Sequence, residues 1–257
     1  MRVNTTKNKL SEGFPVFGPI INEYSPGMVE IFGALDYDFV MIDCEHGSMN
    51  VAQVENMVRA SESFGITPIA RIPDHNDATI LRFLDRGVQG IIVPHVNTRS
   101  QAESISRAAR YYPEGHRGVG GGRSHNYGVG LSRSESTSGL NSNLLVIPMI
   151  EEVEAVQNVD EIASVEGVDI LHVAPGDLAQ SMGNASVDEV RNVMDEVIPK
   201  IKTSGKWSGV GGNSPSDITR ILDLINLGAN FVTVGANAIL IKAAQDFKLH
   251  ITERIEK

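Results

Sequence analysis

Eight short apolar runs alternate with longer amphipathic stretches along the 257-residue chain, and this alternation most constrains its fold. Apolar residues follow one another almost without interruption in the runs, as is typical of parallel strands buried on both faces. The sequence predicts strands over residues 16–21, 39–43, 67–71, 90–94, 144–150, 170–173, 207–211 and 231–235. It predicts helices over residues 26–35, 51–64, 77–86, 99–110, 153–163, 188–204, 215–227 and 237–255.

Eight strand–helix units in about 250 residues indicate an α/β protein with a (β/α)8 TIM barrel, in one domain over residues 1–257. An open doubly wound sheet is the alternative, but it would usually have fewer units. One long irregular segment, 111–143, interrupts the alternation. Loops of this length are uncommon unless they are functional, so we expect an active-site or interface loop. Its glycine-rich stretch RGVGGGR, 117–123, could bind an anion or act as a flexible hinge.

Composition excludes several classes of partner. The chain has 22 basic and 32 acidic residues, for a net charge of −10, which argues against nucleic acid or a membrane surface as a partner. Its one cysteine, Cys44, excludes an internal disulfide and a cysteine-based metal cluster. We find no apolar run that approaches the roughly 20 residues of a membrane span, and no signal-peptide pattern. These observations predict a cytoplasmic protein.

Ionisable residues directly follow several of the apolar runs. They are the DCEHG stretch at 43–47, Arg71, His95, Glu151 and Asp177. In a (β/α)8 barrel the active site lies at the carboxyl ends of the strands. We therefore expect these side chains to face one mouth of the barrel.

Glu151 and Asp177 would supply two hard oxygen ligands from neighbouring strands, which suits Mg²⁺, Mn²⁺ or Co²⁺. Both also occupy positions where acidic residues stabilise helix starts, and Glu152 competes with Glu151 as a ligand. Arg71 leaves an apolar strand and needs an anion, either a substrate carboxylate or enolate or a neighbouring acid.

Histidine supplies the candidate general base. His46 lies beside Asp43 and Glu45, and a histidine oriented by a carboxylate can accept a proton at neutral pH. A hydrogen-bonded structural histidine is the alternative. His95 is a further candidate. His172 lies inside a predicted strand, so we interpret it as part of the barrel packing.

Long motifs in these regions resemble a known family. They are DYDFVMIDCEHG at 36–47, PIARIP at 68–73, LDRGVQGIIVPHVNT at 84–98, YYPEGHRGVGG at 111–121 and IPMIEEVEAVQNVDEIASVEGVDILHVAPGDLAQSMG at 147–183. Their content and order resemble the HpcH/HpaI family of class II, metal-dependent pyruvate aldolases. The resemblance implies a (β/α)8 barrel whose C-terminal helix is exchanged between subunits of a homo-oligomer, either a trimer or a hexamer.

The resemblance also implies a set of site residues. A divalent metal would be held by Glu151 and Asp177. Arg71 would bind the keto oxygen of pyruvate and stabilise the enolate. His46 would be the acid/base residue, with Asp85 as its partner and Asp43 as the rival orienting carboxylate. The remaining substrate-binding positions would be Ala174, Pro175 and Gly176, through their backbone, and Met149.

The implied reaction is the cleavage of a 4-hydroxy-2-oxo acid to pyruvate and an aldehyde, without a Schiff-base lysine. Met149 departs from the family pattern, because many members carry glutamine two residues before the metal-binding glutamate. Oxaloacetate decarboxylation, which passes through the same enolate, or another lyase reaction of the same barrel superfamily therefore stays open. A non-catalytic barrel that binds keto acids is the third hypothesis.

Overall fold

Eight parallel strands close into a barrel in the computed structural model, which describes residues 3–255. Each strand pairs with the next along the chain, and the last pairs with the first. The predicted (β/α)8 barrel is therefore confirmed. The strands are β1 (Val16–Ile21), β2 (Phe39–Asp43), β3 (Thr67–Arg71), β4 (Gly90–Val93), β5 (Leu145–Ile150), β6 (Ile170–Val173), β7 (Trp207–Asn213) and β8 (Ala229–Gly235).

Helices connect the strands and cover the outside of the barrel. They are α1 (Thr5–Ser11), α2 (Pro26–Ala34), α3 (Val51–Phe64), α4 (Asp77–Asp85), α5 (Arg99–Ala109), α6 (Arg133–Asn143), α7 (Val153–Gln157), α8 (Val159–Ala163), α9 (Pro175–Ser181), α10 (Val187–Thr203), α11 (Ile218–Leu227) and α12 (Ala236–Ile255). A short 3-10 turn covers Arg123–Gly128. No helix within residues 3–255 combines the length and the apolar character needed to cross a bilayer.

Successive side chains of each strand point alternately into two apolar cores, one inside the barrel and one between the barrel and the helices. Side chains that point inward fill the barrel, where the rings of Phe39 and Phe231 stack with centroids 4.1 Å apart. Side chains that point outward pack against the helices. This division explains the near-continuous apolar runs, because each strand is buried on both faces.

Helix α1 closes the amino-terminal end of the barrel. Its Leu10 is buried in the inner core, and Asn4, the residue before the helix, donates side-chain hydrogen bonds to the carbonyls of Gln89 and Asn143. The bottom of the barrel is thus sealed, which leaves the carboxyl ends of the strands as the accessible mouth.

Three helices, α1, α6 and α9, are not predicted by the sequence pattern. Helix α6 lies inside the segment interpreted as irregular. It begins with a capping box between Ser132 and Glu135, but its polar sequence lacks the apolar period that identifies a helix. The helix predicted over 153–163 is in fact two short helices that meet at Asn158, whose backbone is not helical.

Candidate active site

Arg71, the last residue of β3, is fixed by a buried carboxylate of the neighbouring strand. Its Nε and Nη2 donate to the two carboxylate oxygens of Asp43 at 2.9 and 2.7 Å, and its Nη1 lies 3.2 Å from Glu45 Oε2. Burial opposes ionisation, but the hydrogen bond and charge of Asp43 raise the pKa of Arg71. The guanidinium is therefore a fixed positive charge in the mouth.

The Asp43 carboxylate binds the Arg71 guanidinium rather than the His46 ring. Its carboxylate also accepts the side-chain amide of Asn22 and the backbone N–H groups of Glu45 and His46. The contact recorded between Asp43 and His46 is through the His46 backbone, and a role of Asp43 in orienting the imidazole stays a prediction. Glu45 is the carboxylate beside the exposed His46 ring, and its Oε2 lies 4.0 Å from His46 Nε2.

Glu151 is nearly fully buried and faces the mouth just beyond β5. Its Oε1 accepts the backbone N–H of His95 at 2.7 Å. Burial raises the pKa of Glu151; the hydrogen bond and charge of His95 oppose this shift, and the nearby charges of Asp177 and Glu45 add to it. A cation bound beside this carboxylate would favour its ionised form.

Glu152 is held on the rim and does not compete with Glu151 for the centre of the mouth. Its oxygens are hydrogen-bonded to His95 Nδ1 and to Asn97 Nδ2, both at 2.9 Å. The hydrogen bond to Glu152 raises the pKa of His95, and Glu151 and Glu45 contribute as well. His95 adopts a positive φ of 55°, a strained backbone that brings its N–H to Glu151 and its ring to Glu152.

The donor set at the mouth fits a hard divalent cation. Asp177 is half-buried in the first turn of α9, and its charge acts on Glu151, so the two carboxylates lie near each other. Within residues 3–255 no group of three or more His, Cys, Asp or Glu side chains is arranged to enclose a metal. Two carboxylates with remaining positions open to water and substrate suit a catalytic Mg²⁺-type site.

The backbone of 174–176 offers fewer donors than expected. The N–H of Ala174 donates to the carbonyl of Ile150, and Pro175 has no N–H. Gly176, in the first turn of α9, is the residue of the three whose N–H is available for an anion. Met149 is buried in the inner barrel, where it pairs in register with His172.

Asp85 lies at the opposite end of the barrel from His46. It is the last residue of α4, which runs from the mouth back to the amino-terminal ends of the strands. There its carboxylate accepts a hydrogen bond from Arg117 Nη2 at 2.8 Å. Within this chain Asp85 and His46 are therefore far apart, because the length of α4 separates them, and their pairing stays a prediction.

Segment 111–143 also lies at the amino-terminal end, between α5 and β5. Arg117 stacks over the Tyr111 ring, 4.6 Å from its centroid, and Arg123 forms an ion pair with Glu62 at the end of α3. The segment therefore does not cover this chain's own mouth. A role between subunits stays a prediction.

Glu45 and Asn22 take part in the site without a role predicted from the sequence, and His95 was predicted only as a further candidate for the general base. Glu45 stands in the motif that contains His46, and His95 directly follows a strand, so position was a usable signal for both. Asn22, one residue beyond β1, is an isolated polar residue, and only its contact with Asp43 identifies it.

A closed (β/α)8 barrel with a fixed guanidinium and buried carboxylates at its mouth defines the protein as a barrel enzyme. The model of the HpcH/HpaI aldolase/citrate lyase family matches residues 20–244, and the chain belongs to this family. The chain is a lyase of this family, and its similar relatives are named aldolases.

Two relatives and one solved structure show the range of the similarity. The chain is 33% identical over 98% of its length to a 4-hydroxy-2-oxovalerate aldolase of Novosphingobium aromaticivorans, covering 96% of that protein. It is 31% identical over 96% of its length to a 2-keto-3-deoxy-L-rhamnonate aldolase of Escherichia coli strain K12, covering 92% of it. The structure of the citrate synthase SbnG matches with a TM-score of 0.84 and 30% identity, covering 97% of this chain and 98% of that one.

Proposed function

We propose that the protein is a metal-dependent aldolase that cleaves a 4-hydroxy-2-oxo acid to pyruvate and an aldehyde. The observation that carries this proposal is the fixed Arg71 guanidinium, which shares one mouth with the buried Glu151 carboxylate. The named aldolase relatives support the same class of substrate.

Glu151 and Asp177 would hold a divalent cation such as Mg²⁺, Mn²⁺ or Co²⁺. When bound, the cation supplies Lewis-acid polarisation of a 2-oxo acid. The charges at the mouth favour this assignment. Asp43, Glu45, Glu151 and Asp177 outnumber Arg71, so an anionic substrate would be repelled unless a cation were bound beside it.

The chain's own residues account for the bond changes. A base, for which His46 is our candidate, removes the proton of the 4-hydroxyl group as the C3–C4 bond breaks and the aldehyde carbonyl forms. The electron pair of the broken bond moves to give the pyruvate enolate, whose oxygen Arg71 stabilises. The base then returns its proton, directly or through water, to C3 of the enolate to give pyruvate, and the N–H of Gly176 binds the pyruvate carboxylate.

The test is pyruvate release, followed with lactate dehydrogenase and NADH. Metal-stripped protein would be given a panel of 4-hydroxy-2-oxo acids, with and without Mg²⁺, Mn²⁺ or Co²⁺. We expect release that depends on the metal and is lost in Glu151→Ala and Asp177→Ala. Glu152→Ala is the matched control and should keep metal binding, because Glu152 is held on the rim by His95 and Asn97. Wild-type metal affinity in both ligand variants would refute the site.

The similarity to a citrate synthase structure makes a second candidate worth testing. Condensation or decarboxylation of oxaloacetate would use an acidic mouth of the same kind. Oxaloacetate, alone and with acetyl-CoA, therefore belongs in the panel. Turnover of oxaloacetate with silence on every hydroxy-oxo acid would replace the aldolase proposal with one of these reactions.

We further propose that the protein acts in the cytoplasm as a homo-oligomer, a trimer or a hexamer. The exposed apolar side chains of α12 support association of subunits. The net charge of −10 supports a small-molecule substrate rather than nucleic acid.

A further inference from the structure

His172 is an unusual side chain for the interior of this barrel. It points inward from β6, pairs in register with Met149 and Gly209, and meets the Phe231 ring edge-on at a centroid distance of 5.8 Å. It is 2% exposed, and its Nδ1 has no hydrogen-bond partner among the described residues. A buried polar nitrogen without a partner costs about 1–3 kcal/mol, so an apolar residue would make a more stable wall.

Strand β7 makes room for this ring. A Cβ atom on Gly209 would lie 2.5 Å from His172 Nδ1, and one on Gly211 would lie 2.9 Å from Nε2. Two successive inward positions of β7 therefore lack side chains where the imidazole lies. Gly211 is nearer than Gly209 to the carboxyl end of the strand, so Nε2 is the ring nitrogen on the side of the mouth.

The ring is a neutral hydrogen-bonding group. Burial, together with the charge of Arg71, lowers the pKa of His172 to about 3. A neutral imidazole has one N–H donor and one acceptor nitrogen. If Nε2 carries the proton, the nitrogen without a partner is the acceptor Nδ1, and the donor faces the mouth.

Arg71 has limited capacity left for a substrate oxygen. Its Nε and Nη2 each donate to Asp43, and its Nη1 lies against Glu45. An enolate oxygen forming beside it would gain from a second, uncharged donor that needs no proton transfer. A neutral histidine that polarises a carbonyl in this way is an established kind of electrophilic catalyst.

We propose that His172 is a further catalytic residue, whose Nε2–H donates a hydrogen bond to the oxo oxygen of the bound substrate and to the enolate oxygen that replaces it. The hydrogen bond strengthens as negative charge develops, and the proton stays on Nε2. This inference rests on the proposed function, because it needs a 2-oxo acid bound beside Arg71.

The first test is exchange of the C3 protons of pyruvate for deuterium, followed by ¹H NMR on the metal-loaded protein in D₂O. This reaction reports enolate formation without any aldehyde. We expect His172→Leu to slow exchange by about 10²-fold, the usual effect of losing one donor to an oxyanion. His172→Gln, whose amide nitrogen reaches the Nε2 position, should restore most of the rate, whereas His172→Asn should not.

Ile170→Val is the matched control. Ile170 is buried on the same inward face of β6, one inward position farther from the mouth, and has no polar atom. We expect this variant to exchange pyruvate protons at the wild-type rate. Thermal melting should show that His172→Leu is folded and at least as stable as the wild type.

Calorimetric binding of oxalate, a mimic of the enolate, is a second measurement that does not depend on turnover. His172→Leu should weaken oxalate binding more than pyruvate binding, because the hydrogen bond is stronger to the more charged oxygen. Wild-type exchange or wild-type oxalate affinity in His172→Leu would overturn the inference and leave the aldolase proposal standing. A wild-type protein that neither exchanges pyruvate protons nor binds oxalate would overturn both.

Discussion

The ion pair between Arg71 and Asp43 places a fixed charge where the chemistry needs it. Both side chains are buried, and the bidentate geometry satisfies both carboxylate oxygens. Such pairs contribute little net stability, because desolvation offsets the attraction, but breaking one costs about 3–5 kcal/mol. The pair is thus better understood as a positioning device than as a source of stability.

Arg71→Lys should lower kcat for pyruvate release by about 10²–10³-fold with a smaller change in KM. Lysine keeps the charge beside Asp43 but cannot form two parallel hydrogen bonds, so the donors no longer face the enolate. Steady-state kinetics would separate the two constants. Arg59→Lys, at an exposed ion pair on α3, is the control. A change confined to KM would show that Arg71 only binds the substrate.

His172 should make the wild-type protein sensitive to mild acid. Its pKa is lowered to about 3 in the folded chain and returns to about 6.5 on unfolding. The unfolded state therefore binds the extra proton, and stability is lost as pH falls from about 6.5 toward 3. Between pH 6.5 and pH 5, the melting temperature should fall less in His172→Leu than in the wild type. Equal decreases would show that the ring is already charged or solvated when folded.

Helix α1 is the element that closes the amino-terminal end of the barrel and leaves only the other end open. Leu10 fills the amino-terminal end of the inner core, while Thr6 donates to the carbonyl of Asp38 and so ties the helix to β2. The mouth at the other end keeps the charged residues. The closed end can therefore influence stability without touching the site.

Leu10→Ala should reduce the free energy of unfolding by about 2–5 kcal/mol, the usual cost of emptying a buried leucine site. The KM for substrate should not change, because the cavity opens at the end opposite the mouth. Urea denaturation and steady-state kinetics check the two parts. Ser11→Ala, at the exposed next position, is the control. A large change in KM would mean that the two ends of the barrel are coupled.

At the scale of the whole molecule, α12 is a largely exposed helix. Ala236 is the one buried residue of α12. The helix exposes large apolar side chains along its length, namely Leu240, Ile241, Phe247, Leu249, Ile251 and Ile255. A largely apolar groove lies on the barrel beside β1, β8 and α11, lined in part by Phe17, Leu222 and Val234 and also by Ile239 of α12 itself. Both features favour the predicted exchange of this helix between subunits.

Phe247→Asp should shift the assembly toward smaller species in size-exclusion chromatography with light scattering. Phe247 is 72% exposed in the single chain, so a charge there is tolerated by the monomer but not by an apolar interface. Lys248→Asp introduces the same side chain at the next exposed position and should leave the assembly unchanged. Identical masses for the wild type and Phe247→Asp would place the interface elsewhere.

The sequence by itself determined the barrel and the neighbourhood of its mouth. Near-continuous apolar runs can only be buried on both faces, and eight of them with intervening helices indicate a closed parallel barrel. Because parallel strands end on the same side, residues at or just beyond their carboxyl ends, such as Arg71 and Glu151, were predictable as neighbours.

Only the tertiary structure decided which side chain contacts which. Asp43 is the last residue of β2 and Glu45 follows it, and their different contacts with Arg71 depend on side-chain direction and strand register. Asp85 stands in the same sequence motif as His95, at 84–98. In space, however, it lies at the end of α4 that is far from the mouth. Sequence patterns specify which surfaces are buried, whereas distances between side chains depend on how complete helices and strands pack, and that is not encoded in any local pattern.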